Sequence, residues 1–574
     1  MLAGPIFSRE ALTAPRQLNH YLLRSGYIAA LLVLIYTAAQ ATFGFREIRN
    51  AGDMAQFGTF VFDVLAFVQL SLAMAAALLF GSSNVAQEKD RRTLILLLMT
   101  DLRNYELVVG KLLAGLLAVL MLIGVSLPVF CVLRMMGGIT LNQVLWIEVL
   151  CLTAALAAGA WGSLVAFWRD KTFQTLAISV LGLVIFIGVV EGAATLAGSG
   201  TAAGRMLGML NPYRARLDLL HPLSRQPDAV VPRVAAWESV LALLAIGVGL
   251  SVLTISKVRL WNPSRFVFEQ AKKNEEQAEV RKQARTVWNT PIIWREICTR
   301  AYGRKILLIK IVYMAMAGLT LLAVGSAESE GMVLGMLGPS AFAFAGLSIL
   351  SLLLTNAQAV TAFTSERDGQ TLELLLVTEV TAPEFIYGKL GGILYNTKEL
   401  IAVPLVFLAW FMAQGQLTLE NTIYIALGFV TLSLFAAMLG LHAGLTYDNS
   451  RTAIANSLGT MFFLFVGIFI CMVLMIEARA SYEMQLIPFL VFILGGALGL
   501  WASLTHKNPS SAFLLASAVL PFCTFYAIAS YLLGATLGVA LFVVVAYGFT
   551  TIAMLVPAVS EFDVALGRTT HGRG

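Results

Sequence analysis

The chain has 574 residues, of which 58% are hydrophobic and only 13% charged, with a formal net charge of +6. Soluble domains carry roughly a quarter charged residues, so this composition excludes a soluble enzyme and indicates an integral membrane protein. Most apolar runs are long enough for a helix rising ~1.5 Å per residue to cross a hydrocarbon core of about 30 Å, and none alternates with the period of two that a transmembrane barrel needs.

In chain order, an amphipathic stretch with Arg9, Glu10 and Arg16 comes first. No small-residue cleavage site follows the first apolar run, so no removable signal peptide is read. Six spans are predicted near 25–44, 58–83, 107–133, 141–167, 173–197 and 236–256. Eight more follow, near 306–325, 333–360, 387–413, 419–445, 452–476, 486–504, 511–533 and 535–557. With the N-terminus inside, 29 Lys and Arg fall on cytoplasmic segments and 9 on outer loops, while Lys398 sits within a span, which accounts for all 39. The positive-inside rule selects that orientation, with both termini cytoplasmic. The outer loop 198–235 resists it, carrying Arg205, Arg214, Arg216, Arg225 and Arg233.

A charged segment is written twice. QEKDRRTLILLLMTDLRNYELVVGK (87–111) and SERDGQTLELLLVTEVTAPEFIYGK (365–389) share 11 of 25 positions without a gap, at a constant offset of 278. Glu88, Asp90, Thr93, Thr100, Glu106, Gly110 and Lys111 recur as Glu366, Asp368, Thr371, Thr378, Glu384, Gly388 and Lys389. The offset continues through Thr140 and Thr418, Gly162 and Gly440, Asp170 and Asp448, and Ser179 and Ser457. Upstream, Arg9 and Glu10 answer to Arg295 and Glu296 at an offset of 286. LWNPS at 260–264 resembles HKNPS at 506–510, which pairs the sixth span with 486–504. The predicted fold is therefore an all-α polytopic membrane protein of about 14 transmembrane helices, a parallel duplication of a six-helix unit plus a C-terminal helix pair. Its parts are a first half at 1–262, a charged linker at 263–288, a second half at 289–508, and the extra pair with a tail at 509–574.

Both repeated segments join an inward-running span to an outward-running one, so both face the cytoplasm in this topology. Each reads as a short amphipathic helix with Leu372, Leu375 and Leu376, in the second copy, towards the membrane and the acidic residues Glu88, Asp90, Glu366 and Asp368 in water. Thr381 reads as an N-cap with Pro383 in the first turn and Glu384 three residues on; Arg103 stands at the matching place in the first copy. Lys111 and Lys389 read as lysines reaching for the interface. The linker, with 8 basic and 4 acidic residues over 257–290, reads as a solvated helix or a surface for anionic lipid or a soluble partner.

Glu-x-x-x-x-Thr-Leu-x-Leu-Leu-x-x-Thr, then a Glu and a Gly-Lys opening the third of six spans, resembles the permease subunits of type 2 ATP-binding-cassette exporters. The resemblance covers roughly 3–262 and 289–508. It implies interfacial elbow helices at 8–16, with Arg9 and Glu10, and at 293–303, with Arg295 and Glu296. It also implies coupling segments at 88–100 and 366–378 seated on a separate ATPase, with Glu106 and Glu384 opening the next span. Two copies of that ATPase would bind the ATP; the partners expected are these, membrane lipid and, as an open alternative, a second permease chain, with no nucleic acid. The setting implied is the inner cell membrane. The family often has a proline after the second threonine, where this chain has Asp101 and Glu379.

The Gly-Lys pairs run on into Leu and open spans, so no GxxxxGK[ST] phosphate loop is read, nor a GxSxG elbow or an HExxH helix. The chain is expected to be a permease without hydrolytic or metal chemistry of its own; an ion-coupled carrier built from parallel repeats is the alternative. Lys398 and Glu399 stand opposite Leu120 and Met121, close to mid-bilayer, where an unpaired charge costs at least ~2.5 kcal/mol. Adjacent helical residues point about 100° apart, so each needs its own partner. They are the candidate lining of a translocation path along the seam between the halves, or a lock on its closed state; the alternative is a helix that starts late, near Glu399, with Lys398 snorkelling to the interface.

Overall fold

The computed structural model describes residues 4–13, 18–43, 50–91, 93–169, 171–197, 201–220, 234–262, 288, 290–298, 306–326, 339–369, 371–372, 380–469, 482–505, 510–532, 536–560 and 562. Thr378, most of the second coupling segment and nearly all of the linker lie outside them. The regular elements among the described residues are helical. The chain divides into two compact units, Met1–Lys282 with Ala478–Pro488, and Gln283–Glu477 with Phe489–Gly574.

The first unit contains α1 (Gly4–Thr13), α2 (Leu18–Phe43), α3 (Ala51–Asp90), α4 (Thr93–Met99), α5 (Asn104–Met135), α6 (Leu141–Trp168), α7 (Thr172–Ala197), α8 (Ala202–Gly208), α9 (Pro212–Leu220) and α10 (Ala236–Trp261). The second contains α11 (Pro291–Cys298), α12 (Ile306–Ser326), α13 (Pro339–Asp368), α14 (Ala382–Ala413), α15 (Leu419–Thr446), α16 (Ser450–Phe462, running on through a π turn at Phe463–Gly467), α17 (Tyr482–Leu504, its residues up to Pro488 counting with the first unit), α18 (Ser511–Leu532) and α19 (Thr536–Ser560). Ten of these helices are long and apolar enough to cross a membrane; α2, α12 and α17 carry shorter apolar cores, and α16 begins the remaining expected span. Each of the fourteen predicted spans overlaps a helix among the described residues, and ten of those helices have the length and apolarity to cross.

Each unit is built on the pairing of its second and fourth spans, α3 with α6 and α13 with α15. Glycine allows the approach. A Cβ on Gly162 would lie 2.6 Å from the Leu78 carbonyl oxygen, and one on Gly440 would lie 2.6 Å from the Asn356 carbonyl oxygen. Both glycines and both carbonyls are related by the repeat offset, so the close crossing is itself duplicated. At 40 residues α3 is roughly 60 Å long and outruns a hydrocarbon core, carrying Glu88 and Asp90 clear of it.

The sixth span is where sequence and packing part company. In the first unit α10 crosses α6 with Gly247 against Leu156 and Ala157, and its far end buries Val258 with Leu107 and Phe167. In the second unit the equivalent seat on α15 belongs to α19: Tyr547 meets Phe435 edge-on at 4.9 Å, and Phe562 just beyond it meets Phe385 at 5.1 Å. Phe435 and Phe385 are the offset partners of Ala157 and Leu107. The short NPS likeness that paired 236–256 with 486–504 lies largely outside the described residues. In chain order, α17 and α18 lie between the fifth span and the helix that fills the sixth seat, as α8 and α9 do in the first unit.

Candidate functional site

The duplicated segment makes one set of bonds in both units. Lys89 Nζ donates to the carbonyls of Phe167 and Arg169 at 2.6 and 2.9 Å, and Arg367 Nη1 donates to Gly444 O at 3.1 Å, so each cation closes the end of the fourth span. Asp90 accepts from the Thr172 hydroxyl and Asp368 from that of Ser450, at 2.5 Å in the second case, which ties on the start of the fifth. Thr172 and Ser450 are again 278 apart. Thr93 and Thr371 donate back to the carbonyls of Glu88 and Glu366 at 3.3 and 3.1 Å, closing the end of the second span.

The carboxylates of Glu88 and Glu366 turn inward too. Glu88 pairs with Lys111. Glu366, 9% exposed, meets Lys389 Nζ at 2.6 Å and also pairs with Arg295 of the elbow. Lys389 is 2% exposed and reaches Glu296 at 2.6 Å as well. Two predictions are corrected here. Glu366 does not stand on a wet surface, and Lys389 does not reach for the interface, because two anions and two cations of zero net charge satisfy one another inside the protein.

The first unit divides the same four residue types differently. Arg9 and Glu10 pair with each other at 3.2 Å on an exposed face of α1, and Glu88 and Lys111 form a separate pair. The elbows lie on the third span in both units. Gly4, at φ +69°, would place a Cβ 3.0 Å from that of Glu106. Gly388 and Gly392 admit Ile292 and Glu296 to within 2.7 and 2.5 Å of where their own Cβ would be. The second elbow is therefore keyed into α14 and its charges are drawn into the network.

Glu106 accepts from the Arg103 backbone N–H at 3.0 Å, so half a capping box survives in the degraded copy. Thr381 is the N-cap of α14 with Pro383 in the first turn, but its hydroxyl makes no capping bond; Glu384 stands in that first turn. The apolar face of α4 packs on protein rather than membrane: Leu94 is buried with Val85, Leu107, Val108 and Phe167, with Leu97 and Leu98 beside it. Its outer face leaves Leu96 and Met99 64% and 72% exposed, next to exposed Thr100.

Glu399 pairs with Lys310 of α12 at 2.6 Å, and Lys398 lies 3.9 Å over the Tyr395 ring. Each has its own partner, as their angular separation requires. The described arginines of the loop 198–235 are paired similarly, with Arg225 and Arg233 outside the described residues. Arg214 grips Glu191 through two bonds of 2.6 and 2.7 Å, Arg216 reaches the Asp63 carbonyl at 2.7 Å as well as its carboxylate, and Arg205 pairs with Glu238. These arginines are paired with acids of α3, α7 and α10 and do not act as free positive charge. Burial pulls the Arg216 guanidinium below its ordinary range, and Asp63 opposes that pull.

One buried acid escaped the sequence reading. Glu148 of α6 accepts from Gln69 at 2.9 Å and lies 3.0 Å from Ser126. A lone carboxylate inside an apolar run is the same signal that singled out Lys398 and Glu399.

Residues 6–255 match the family described as ABC-2 family transporter protein. No curated protein matches the chain. A multi-pass helical architecture and this match together show a multi-pass membrane protein whose residues 6–255 are similar to the ABC-2 transporter family.

Proposed function

We propose that the chain is the permease of an ATP-driven exporter, two permease halves in one polypeptide, with ATP bound and hydrolysed by two copies of a separate ATPase. The clasp end of each unit faces the cytoplasm and the loop with α8 and α9 faces out across the inner membrane. The observation that carries this reading is the exposed outer face of α4. Its inner face is anchored to the second, third, fourth and sixth spans through Leu94, and Thr93 fixes its start to α3. A force applied at Leu96 and Met99 therefore reaches several spans at once. Glu88, Asp90, Glu366 and Asp368 serve as anchors of the coupling segments, and the ATPase meets the outward apolar and hydroxyl groups. Exposed apolar side chains beside an anchored short helix suit a protein groove.

The experiment is reconstitution with the partner ATPase. Leu96→Asp with Met99→Asp should leave the protein inserted and folded while vanadate-sensitive transport falls by at least tenfold. Transport in an ion gradient with no ATPase present, or undiminished coupling in the double variant, would defeat the reading. Lys398 and Glu399 are proposed to border the cargo path; exchanging them for Leu and Met should then alter transport without loss of folding.

A further inference from the structure

Glu148 stands seven residues into α6, roughly 10 Å along the span from its start. It is 7% exposed, and its partners Gln69 of α3 and Ser126 of α5 are 2% and 0% exposed, so one carboxyl joins three spans. Gln69 Nε2 donates to Oε2 at 2.9 Å. Ser126 Oγ lies 3.0 Å from Oε1 and 2.7 Å from the Ile123 carbonyl oxygen.

A hydroxyl has one proton to give. Two acceptors compete for that proton, the Ile123 carbonyl and Glu148 Oε1. When the carbonyl takes it, the contact between Ser126 Oγ and Oε1 is completed by a hydrogen on Oε1. An ionised carboxylate here would have at most two neutral donors, Gln69 and Ser126, within an apolar core, a costly arrangement.

The charged and titratable groups around this site are Tyr27 from α2, Asp63 from α3, Cys151 on α6 itself, and Tyr213 and Arg216 from α9. Arg216 is engaged with Asp63. The helices α7 and α10 bring Glu191 and Glu238, each paired with an arginine. The positions of Gln69, Ser126 and Glu148 at the repeat offset hold Leu347, Pro404 and Ala426, none of them titratable.

We propose that Glu148 is a proton-binding site of the first unit: its carboxylic acid, donating to Ser126 and accepting from Gln69, latches α3, α5 and α6 together, and release of the proton loosens them.

The test uses the full chain in lipid. The infrared difference between wild type and Glu148→Gln at neutral pH should show loss of a protonated carboxylic acid band; loss of carboxylate bands instead would overturn the assignment. A group protonated in the fold and ionised in the unfolded chain contributes stability that fades as pH rises. Between about pH 6 and about pH 9 the wild-type thermal midpoint should therefore fall by several degrees more than that of Glu148→Gln, which keeps the neutral geometry at every pH. Equal slopes would overturn the latch. Should Glu148→Gln not insert, Ser126→Ala serves: removing the acceptor should shift the acid band, and an unmoved band would overturn the hydrogen bond.

Discussion

Lys389 and Lys111 occupy the same place in the repeat, yet their surroundings set different penalties for losing them. Lys389→Met leaves Glu296 and Glu366 facing each other inside the protein with only Arg295 to oppose them, and breaking a buried pair in this way costs about 3–5 kcal/mol. Lys111→Met strands only Glu88, whose side chain is 22% exposed and can rehydrate. Chemical denaturation in detergent should therefore show a much larger loss for Lys389→Met; equal losses would contradict the assignment of one network and one pair. The sequence showed that these charges matter, since they hold register across 278 residues, but not which way they point. Register reports that a side chain has a fixed task. It does not distinguish a task inside the chain from one on a partner, because a buried lysine and an interfacial one both begin an apolar span.

At the level of helices, composition was sufficient to place the ten long apolar helices, because length and hydropathy are properties of single segments. Pairings were legible only where a residue type betrayed them. Gly162 and Gly440 did so, and they invite a direct comparison: Gly162→Ala and Gly440→Ala must each force two helix backbones apart and should cost about 1–3 kcal/mol. Gly249→Ala, which meets nothing within 4 Å, should be neutral or slightly stabilising by the same thermal unfolding measurement. Similar losses at Gly249 and Gly162 would show that the crossing is looser than its glycines suggest. The seat of α19 on α15 could not be read, since aromatic residues such as Phe435 and Tyr547 fit an apolar groove from any neighbouring helix. Nothing in their spacing says which helix arrives.

For the whole molecule, sidedness gives the broadest check. Engineered cysteines near Glu330 and Ala480 should react with an impermeant reagent applied from outside, while one at Gln277 should not; labelling at Gln277 would reverse the proposed orientation. Three of the five arginines of the basic loop that strains the charge count, Arg205, Arg214 and Arg216, are matched by Glu238, Glu191 and Asp63, while Arg225 and Arg233 lie outside the described residues. Pairing across long sequence separations is invisible to a count of charges by loop.

The seat filled by α19 also bears on how the chain is made. The six spans of the first repeat can close on themselves once α10 has emerged, with the sixth helix supplied by residue 261. The second cannot, for α15 ends at Thr446 and the helix that covers it begins at Thr536, about 90 residues later. At about 5–20 residues per second of synthesis, the open face of α15 waits roughly 5–20 s in the bilayer. Throughout that interval lipid, the insertion machinery or α10-like helices of the finished unit compete for a groove lined by Phe435 and Phe385. Ribosomes that stall in this window would leave a first unit fully assembled and a second with an unfilled helix groove, a species that membrane quality control can recognise.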